Sequence, residues 1–307
     1  MLDPDAKRIP DPLYDLGLYI HTYHQHMIDE DLDFLFKNFS THFRKLFYSS
    51  CLLYKLQGDK DFLQKYDSAK AVSVQNIEYC FYKISTVWEM AFEIIAKLGE
   101  IPSKKVRNTH FMERFSHHGK PFDLGWYNEI NTIRNRITHG GIRIVPFHTV
   151  DDSNTPRICF QAYNTEFSDR TTHNTYYTNI HNNCINYADN YFAYHTHLLY
   201  RFLGNLFRVT LLDVAERNGH DINDLKEPPE ISFFESKVIE LKTWLLSDTE
   251  SFQSITDKMI YLNITGGYMR HFDEFPREKI VEEYEGFPFD LMKIISTAER
   301  FAYPVEE

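Results

Sequence analysis

Residues 133–140 combine side chains that could cleave a phosphodiester bond. They read I-R-N-R-I-T-H-G, with four residues between Arg134 and His139. A histidine titrates near neutral pH and can move protons. An arginine stays charged, and its planar guanidinium can hold two phosphate oxygens at once. RNA carries its own nucleophile, the ribose 2′-hydroxyl, so this pair could promote RNA cleavage to a 2′,3′-cyclic phosphate without a metal ion or another cofactor.

Four nearby or neighbouring residues could support this pair. Asn135 could orient the histidine or bond a phosphate, and Arg136 could add phosphate affinity. Thr138 is interpreted as structural. Glu89, on a different predicted helix, could orient Arg134, although a surface position or a buried ion pair is the interpretation we favour for it. Asn135 and Arg136 could equally be ordinary polar residues of an exposed helix face.

Helical geometry complicates a direct pairing of the two main residues. Five steps of ~100° on an ideal helix place Arg134 roughly 140° around the axis from His139. Asn135 and Arg136, four and three residues before His139, share its face instead. Arg134 must therefore reach round, the last turn must unwind, or two chains must combine their residues. The carbonyl end of the helix favours a protonated imidazole at His139.

The elements that position this motif are predicted to be helices. The clearest spans residues 68–98, where apolar residues alternate at spacings of four and three. The motif lies on a helix from Gly125 to His139, which Gly140 and Gly141 end. Other helical patterns cover residues 12–56, with interruptions, and 183–217. The segment around His110, His117 and His118 is interpreted as a basic loop at the surface, with RNA phosphate contact as the alternative.

The remaining chain completes a mainly α fold with a small β insertion. Residues 142–145 and 157–160 are predicted strands around a turn at 151–156, within an insertion of about 142–182. We therefore expect a helical bundle over residues 10–220 and a C-terminal α extension over 221–307. After a linker, the extension has predicted helices near 235–246 and 277–301.

Composition and charge limit the classes of function. The formal net charge is -11, which excludes general attraction to nucleic acid, so an RNA site must be local. Residues 104–143 hold eight Lys or Arg and three Asp or Glu, a local excess of five positive charges.

The four cysteines have no C-x-x-C spacing and are predicted to be free thiols. Without a signal peptide, or an apolar run near the ~18 residues needed to span a membrane, we expect a soluble cytoplasmic protein.

The motif resembles that of the HEPN superfamily, whose nuclease members carry R-x(4–6)-H near a helix end. Arg134, Asn135 and His139 match it, and the resemblance extends over roughly residues 12–217. It implies a HEPN-like up-down helical bundle with Arg134 and His139 as catalytic residues. It also implies a homodimer that joins two motifs in one cleft, RNA as the substrate, and a toxin or phage-defence role with an antitoxin or other regulatory protein as partner.

Two other classes of function stay open at this point. The chain could be a non-catalytic HEPN-like module for dimerisation or nucleotide binding, in which Arg134 and His139 hold a dimer contact or a ligand phosphate. The run H-T-Y-H-Q-H could instead make a metallohydrolase centred on His21, His24 and His26, although a carboxylate or cysteine at matching spacing is not evident.

Overall fold

The computed structural model describes residues 12–23, 30–98, 107–140, 143–150, 156–163, 174, 176–178, 185–222, 254, 255 and 258. This part of the chain is mainly helical with a small sheet, so the predicted fold class is confirmed. The described helices are α1 (Pro12–Tyr23), α2 (Glu30–Gly58), α3 (Lys60–Gln64), α4 (Tyr66–Lys97), α5 (Arg107–His117), α6 (Gly125–Thr138) and α7 (Ala188–Asn218). None of them combines the length and apolarity that crossing a lipid bilayer requires.

Helix α4 follows the apolar spacing that predicted it. Its stripe is buried at Ile77, Phe81, Ile84, Trp88 and Ala91, because one face of the helix packs against α2, α6 and α7. A break at Asp59 separates α2 from the short helix α3, which precedes α4. Asp59 accepts a hydrogen bond from the Phe62 N–H (2.9 Å) and caps the short helix α3.

Helix α7 occupies the centre of the bundle, in contact with α1, α2, α4, α5 and α6. His195 and His197 lie on different faces, as their spacing predicts, yet both are buried, because neighbours surround the helix. The predicted start near residue 183 was wrong. Asn186 and Tyr187 form a short strand instead, since they pair with Phe160 and Cys159.

The β insertion is a three-stranded antiparallel sheet in the order β1 (Arg143–Val150), β2 (Pro156–Tyr163) and β3 (Asn186–Tyr187). The two predicted strands are confirmed and extend further than expected. The sheet lies against α2, α4 and α7, with Ile158, Cys159 and Phe160 buried in the shared core. Residues 151–155 of the predicted turn lie outside the described residues.

Helix α5 corrects the interpretation of its segment as a loop. Phe111 and Phe115, four residues apart, are both fully buried, and their rings pack against Phe92 and Phe202. Apolar residues four positions apart lie on the same face of a helix, and here that face packs against the core. Because the segment holds only this one pair of phenylalanines among mostly polar and charged residues, its helical period was not recognised in the sequence.

The C-terminal region contributes to the core through the few residues described there. Ser254, Ile255 and Lys258 are buried, and the Lys258 ammonium lies 2.8 Å from a carboxylate oxygen of Asp189 on α7. The helices predicted near 235–246 and 277–301 lie outside the described residues.

Candidate active site at the end of helix α6

Aromatic packing positions the helix that carries the motif. The Tyr127 ring stacks on the Trp88 ring of α4, with centroids 3.7 Å apart and planes 13° apart. Ile130 and Ile133 continue this buried face. Arg134 follows the last of them, so its backbone is held by the core while its side chain lies at the boundary with solvent.

Asn135 joins the two halves of the motif. Its side-chain Oδ1 accepts a hydrogen bond from Arg134 Nη1 at 2.8 Å. Its backbone carbonyl accepts the N–H of His139 at 3.0 Å. The amide thus holds the guanidinium of its neighbour, a contact that the sequence did not predict, while the roles of Asn135 in orienting the histidine and binding phosphate stay predictions.

His139 lies just past the last residue of α6. Its backbone angles, φ -98° and ψ 11°, leave the helical region, and Gly140 then adopts a left-handed φ of 72°. The predicted stop at glycine is therefore confirmed. The imidazole is exposed and, among the described residues, makes no hydrogen bond or ion pair.

Arg134 and His139 both reach solvent, but their side chains do not hydrogen-bond to each other in the described part of the chain. The hydrogen bond from the His139 N–H to the Asn135 carbonyl is helical, so the turn between the two residues is intact and their angular offset remains within one chain. The arrangement leaves an exposed titratable ring and an oriented cation on one short segment, both accessible to a ligand.

Three charged side chains act on the buried hydroxyl of Tyr127. Burial raises the pKa of its hydroxyl, and the charge of Glu89 raises it further, while the charges of Arg134 and Arg107 act to lower it. These opposing effects place Glu89, Arg107 and Arg134 close enough to act on the same buried hydroxyl. Tyr127 was not among the residues predicted to support the motif. Its position seven residues before Arg134, two helical turns, is the signal that could have placed it beside the motif.

Glu89 forms an ion pair with Arg107 of α5, with 3.4 Å between Oε2 and Nη1. The Arg107 guanidinium also lies over the Phe92 ring, 4.2 Å from its centroid. A buried or half-buried pair was one of the two interpretations favoured for Glu89. A second role in orienting Arg134 stays a prediction.

The basic neighbourhood is partly neutralised by acidic partners. The Arg107 side chain is 13% exposed beside Glu89, and the Arg114 side chain is 20% exposed beside Asp213, 3.1 Å away. These two cations therefore join helices rather than form an open surface. Arg136 is exposed, and the Thr138 hydroxyl donates to the Arg134 carbonyl at 2.9 Å, which agrees with a structural role for Thr138.

The alternative metal centre at His21, His24 and His26 lies outside the side chains that the structure describes. Comparison of the chain with family models, with curated proteins and with solved structures finds no match. Any function therefore has to be inferred from the chemistry of the residues themselves.

Proposed function

We propose that this protein is a metal-independent endoribonuclease of the HEPN type, with Arg134 and His139 as catalytic residues. One observation carries the proposal. At the C-terminal end of α6, the exposed imidazole of His139 follows, five residues later, the guanidinium of Arg134, which Asn135 holds by a hydrogen bond. These are the two groups that cleavage by the 2′-hydroxyl requires: one that moves protons and one that stabilises the charged phosphate.

The reaction is a transfer of the phosphate from the 5′-oxygen to the 2′-oxygen of the preceding ribose. A base removes the proton of the 2′-hydroxyl, whose oxygen attacks phosphorus. An acid then protonates the departing 5′-oxygen, and a 2′,3′-cyclic phosphate remains. His139 supplies one of these proton transfers, and Arg134 binds the phosphate oxygens as their charge grows. Single-stranded RNA or an RNA loop is the substrate class, because its backbone can adopt the in-line geometry.

A homodimer provides the second proton-transfer group in this proposal. One exposed His139 per chain supplies one imidazole, and two motifs in a shared cleft supply an acid and a base together. Dimerisation also removes the angular offset, since the Arg134 of one chain can face the His139 of the other. In the cell we propose a cytoplasmic toxin or phage-defence effector that an antitoxin or other regulatory protein controls.

The test is incubation of the purified full chain with total RNA in the presence of chelator, followed by end-group analysis. The wild type is expected to leave 2′,3′-cyclic phosphate ends, and Arg134→Ala and His139→Ala are expected to leave the RNA intact. Arg217→Ala, which removes an exposed arginine from the far end of α7, serves as the control and should cleave normally. Nucleotide binding without cleavage by a folded wild type would support the non-catalytic module instead, and activity in a strictly monomeric form would contradict the dimer.

A further inference from the structure

The C-terminal ends of α5 and α7 bring together a second group of chemically active side chains, separate from the α6 motif. His117 is the last residue of α5 and His118 follows it, while Asp213 and Glu216 lie three residues apart near the end of α7. His117 Nε2 is 3.8 Å from Glu216 Oε2, and His118 Nε2 is 2.7 Å from Asp213 Oδ1. One donor atom from each of His117, His118 and Glu216 lies within 4.8 Å of the other two.

The geometry points to a divalent metal site, and we propose that His117, His118 and Glu216 bind Zn²⁺. Two imidazoles and one carboxylate form a common protein ligand set for this ion. Ligands at roughly 2.1 Å from a tetrahedral zinc lie about 3.4 Å from each other. His117 and Glu216 need to approach each other by about 0.4 Å, and the distances to His118 shorten by up to about 1.4 Å. Because the His117 and Glu216 side chains are 66% and 69% exposed, both are free to rotate toward His118.

Asp213 supplies the support that such a site needs. Its carboxylate is hydrogen-bonded to the His118 ring and is itself held by Arg114, with 3.1 Å between Oδ2 and Nε. Carboxylates placed in this way fix the ring of a metal-binding histidine. Because His118 and Asp213 are only 14% and 12% exposed, this half of the site is in position before any ion binds.

The two helix ends add a second electrostatic reason for a cation. The carbonyl end of a helix carries a partial negative charge that acts over its last turn. His117 ends α5, and Glu216 lies in the last turn of α7, so both partial charges fall at the same cluster. A bound zinc would join α5 to α7 and so secure the helix from which Arg107 reaches Glu89. RNA cleavage as proposed above does not depend on this ion.

The experiment titrates the full chain, stripped with chelator, with Zn²⁺ and then with Co²⁺ as a spectroscopic probe. One equivalent of tightly bound ion, visible Co²⁺ absorption and a rise in the thermal midpoint are expected. His117→Ala and Glu216→Gln should each weaken binding by more than about tenfold, since even the loss of an outer partner weakens metal sites by 10–100-fold. Glu113→Gln, which changes another exposed carboxylate on α5, should bind normally.

Two results would overturn the proposal: a wild type that binds no stoichiometric ion, or variants that bind as the wild type does. Retention of the ion in His117→Ala together with its loss in His24→Ala would assign the metal to the other histidine cluster. Circular dichroism of the stripped variants shows whether they are folded, which is expected because both altered side chains are exposed.

Discussion

The buried charges around Asp189 allow one prediction to be worked out in detail. The Asp189 carboxylate is fully buried and accepts hydrogen bonds from Arg157 (2.9 Å), Lys258 (2.8 Å) and Gln57 (3.1 Å). Although burial acts to raise the pKa of this carboxyl, the two adjacent cations outweigh it and hold the pKa well below its usual range. Burial lowers the pKa of Lys258, although Asp189 acts to raise it. One buried carboxylate therefore faces two basic side chains.

This imbalance predicts unequal effects for the two partners. Asp189→Asn leaves two buried cations without a counter-charge and should lower the free energy of unfolding by about 3–5 kcal/mol, the usual cost of breaking a buried pair. Lys258→Met leaves a neutral Asp189–Arg157 pair and replaces an ammonium with an apolar group of similar length. We expect a cost of about 0–2 kcal/mol for it. The double variant should recover part of the loss seen in Asp189→Asn alone.

The assay is urea unfolding at pH 7, followed by circular dichroism, for the wild type, the two single variants and the double variant. Lys97→Met provides the matched control, because its ion pair with Asp31 is also 2.8 Å long but its side chains are 41% and 75% exposed. Solvent screens an exposed pair, so Lys97→Met should lower the free energy of unfolding much less than Asp189→Asn does. Equal losses for Asp189→Asn and Lys258→Met, or a larger loss for Lys258→Met, would refute the reasoning from net buried charge.

Three further predictions concern the motif and the central helix. His139→Ala should slow cleavage of a fluorescent RNA about 10²–10⁴-fold, the range for loss of a general acid or base, and retention of full rate would contradict its role. Gly140→Ala should lower stability by about 1–2 kcal/mol in thermal unfolding, because a φ of +72° is strained for alanine even where the space is open. Burial lowers the pKa of His197 to about 3, so the unfolded chain binds the proton first as pH falls below about 6.5. The free energy of unfolding should therefore fall between pH 6.5 and 3, by up to about 1.4 kcal/mol per pH unit. If the free energy of unfolding of His197→Leu depends on pH as steeply as that of the wild type, this residue is not the cause.

Much of the helical fold follows from local patterns. The alternating spacing of apolar residues predicted α4, and the glycine at 140 marked the end of α6. The start of α7 was misjudged because residues 186 and 187 fit a helical pattern as well as a strand. Their pairing with β2, about 26 residues earlier, decided between the two.

The motif could be found from the sequence, but its surroundings could not. Spacing alone located Arg134, Asn135 and His139 at a helix end, because one helix and one stop signal determine that position. The hydrogen bond between Arg134 and Asn135 was not foreseen, although the two are adjacent, because it depends on the rotamers the folded chain selects. Whether the two catalytic candidates act on RNA stays a prediction of their chemistry.

By itself the sequence determined most of the described helices, though not α5, and the short segment that carries both a cation and an imidazole. It could do so because helical periodicity, caps and glycine stops act over a few residues. Tertiary structure alone decided the pairs Glu89–Arg107 and Asp189–Lys258, the burial of α7 on all sides, and the meeting of His117 with Glu216. Those partners lie from 18 to 99 positions apart, and only packing of the apolar faces brings such distant charges into contact.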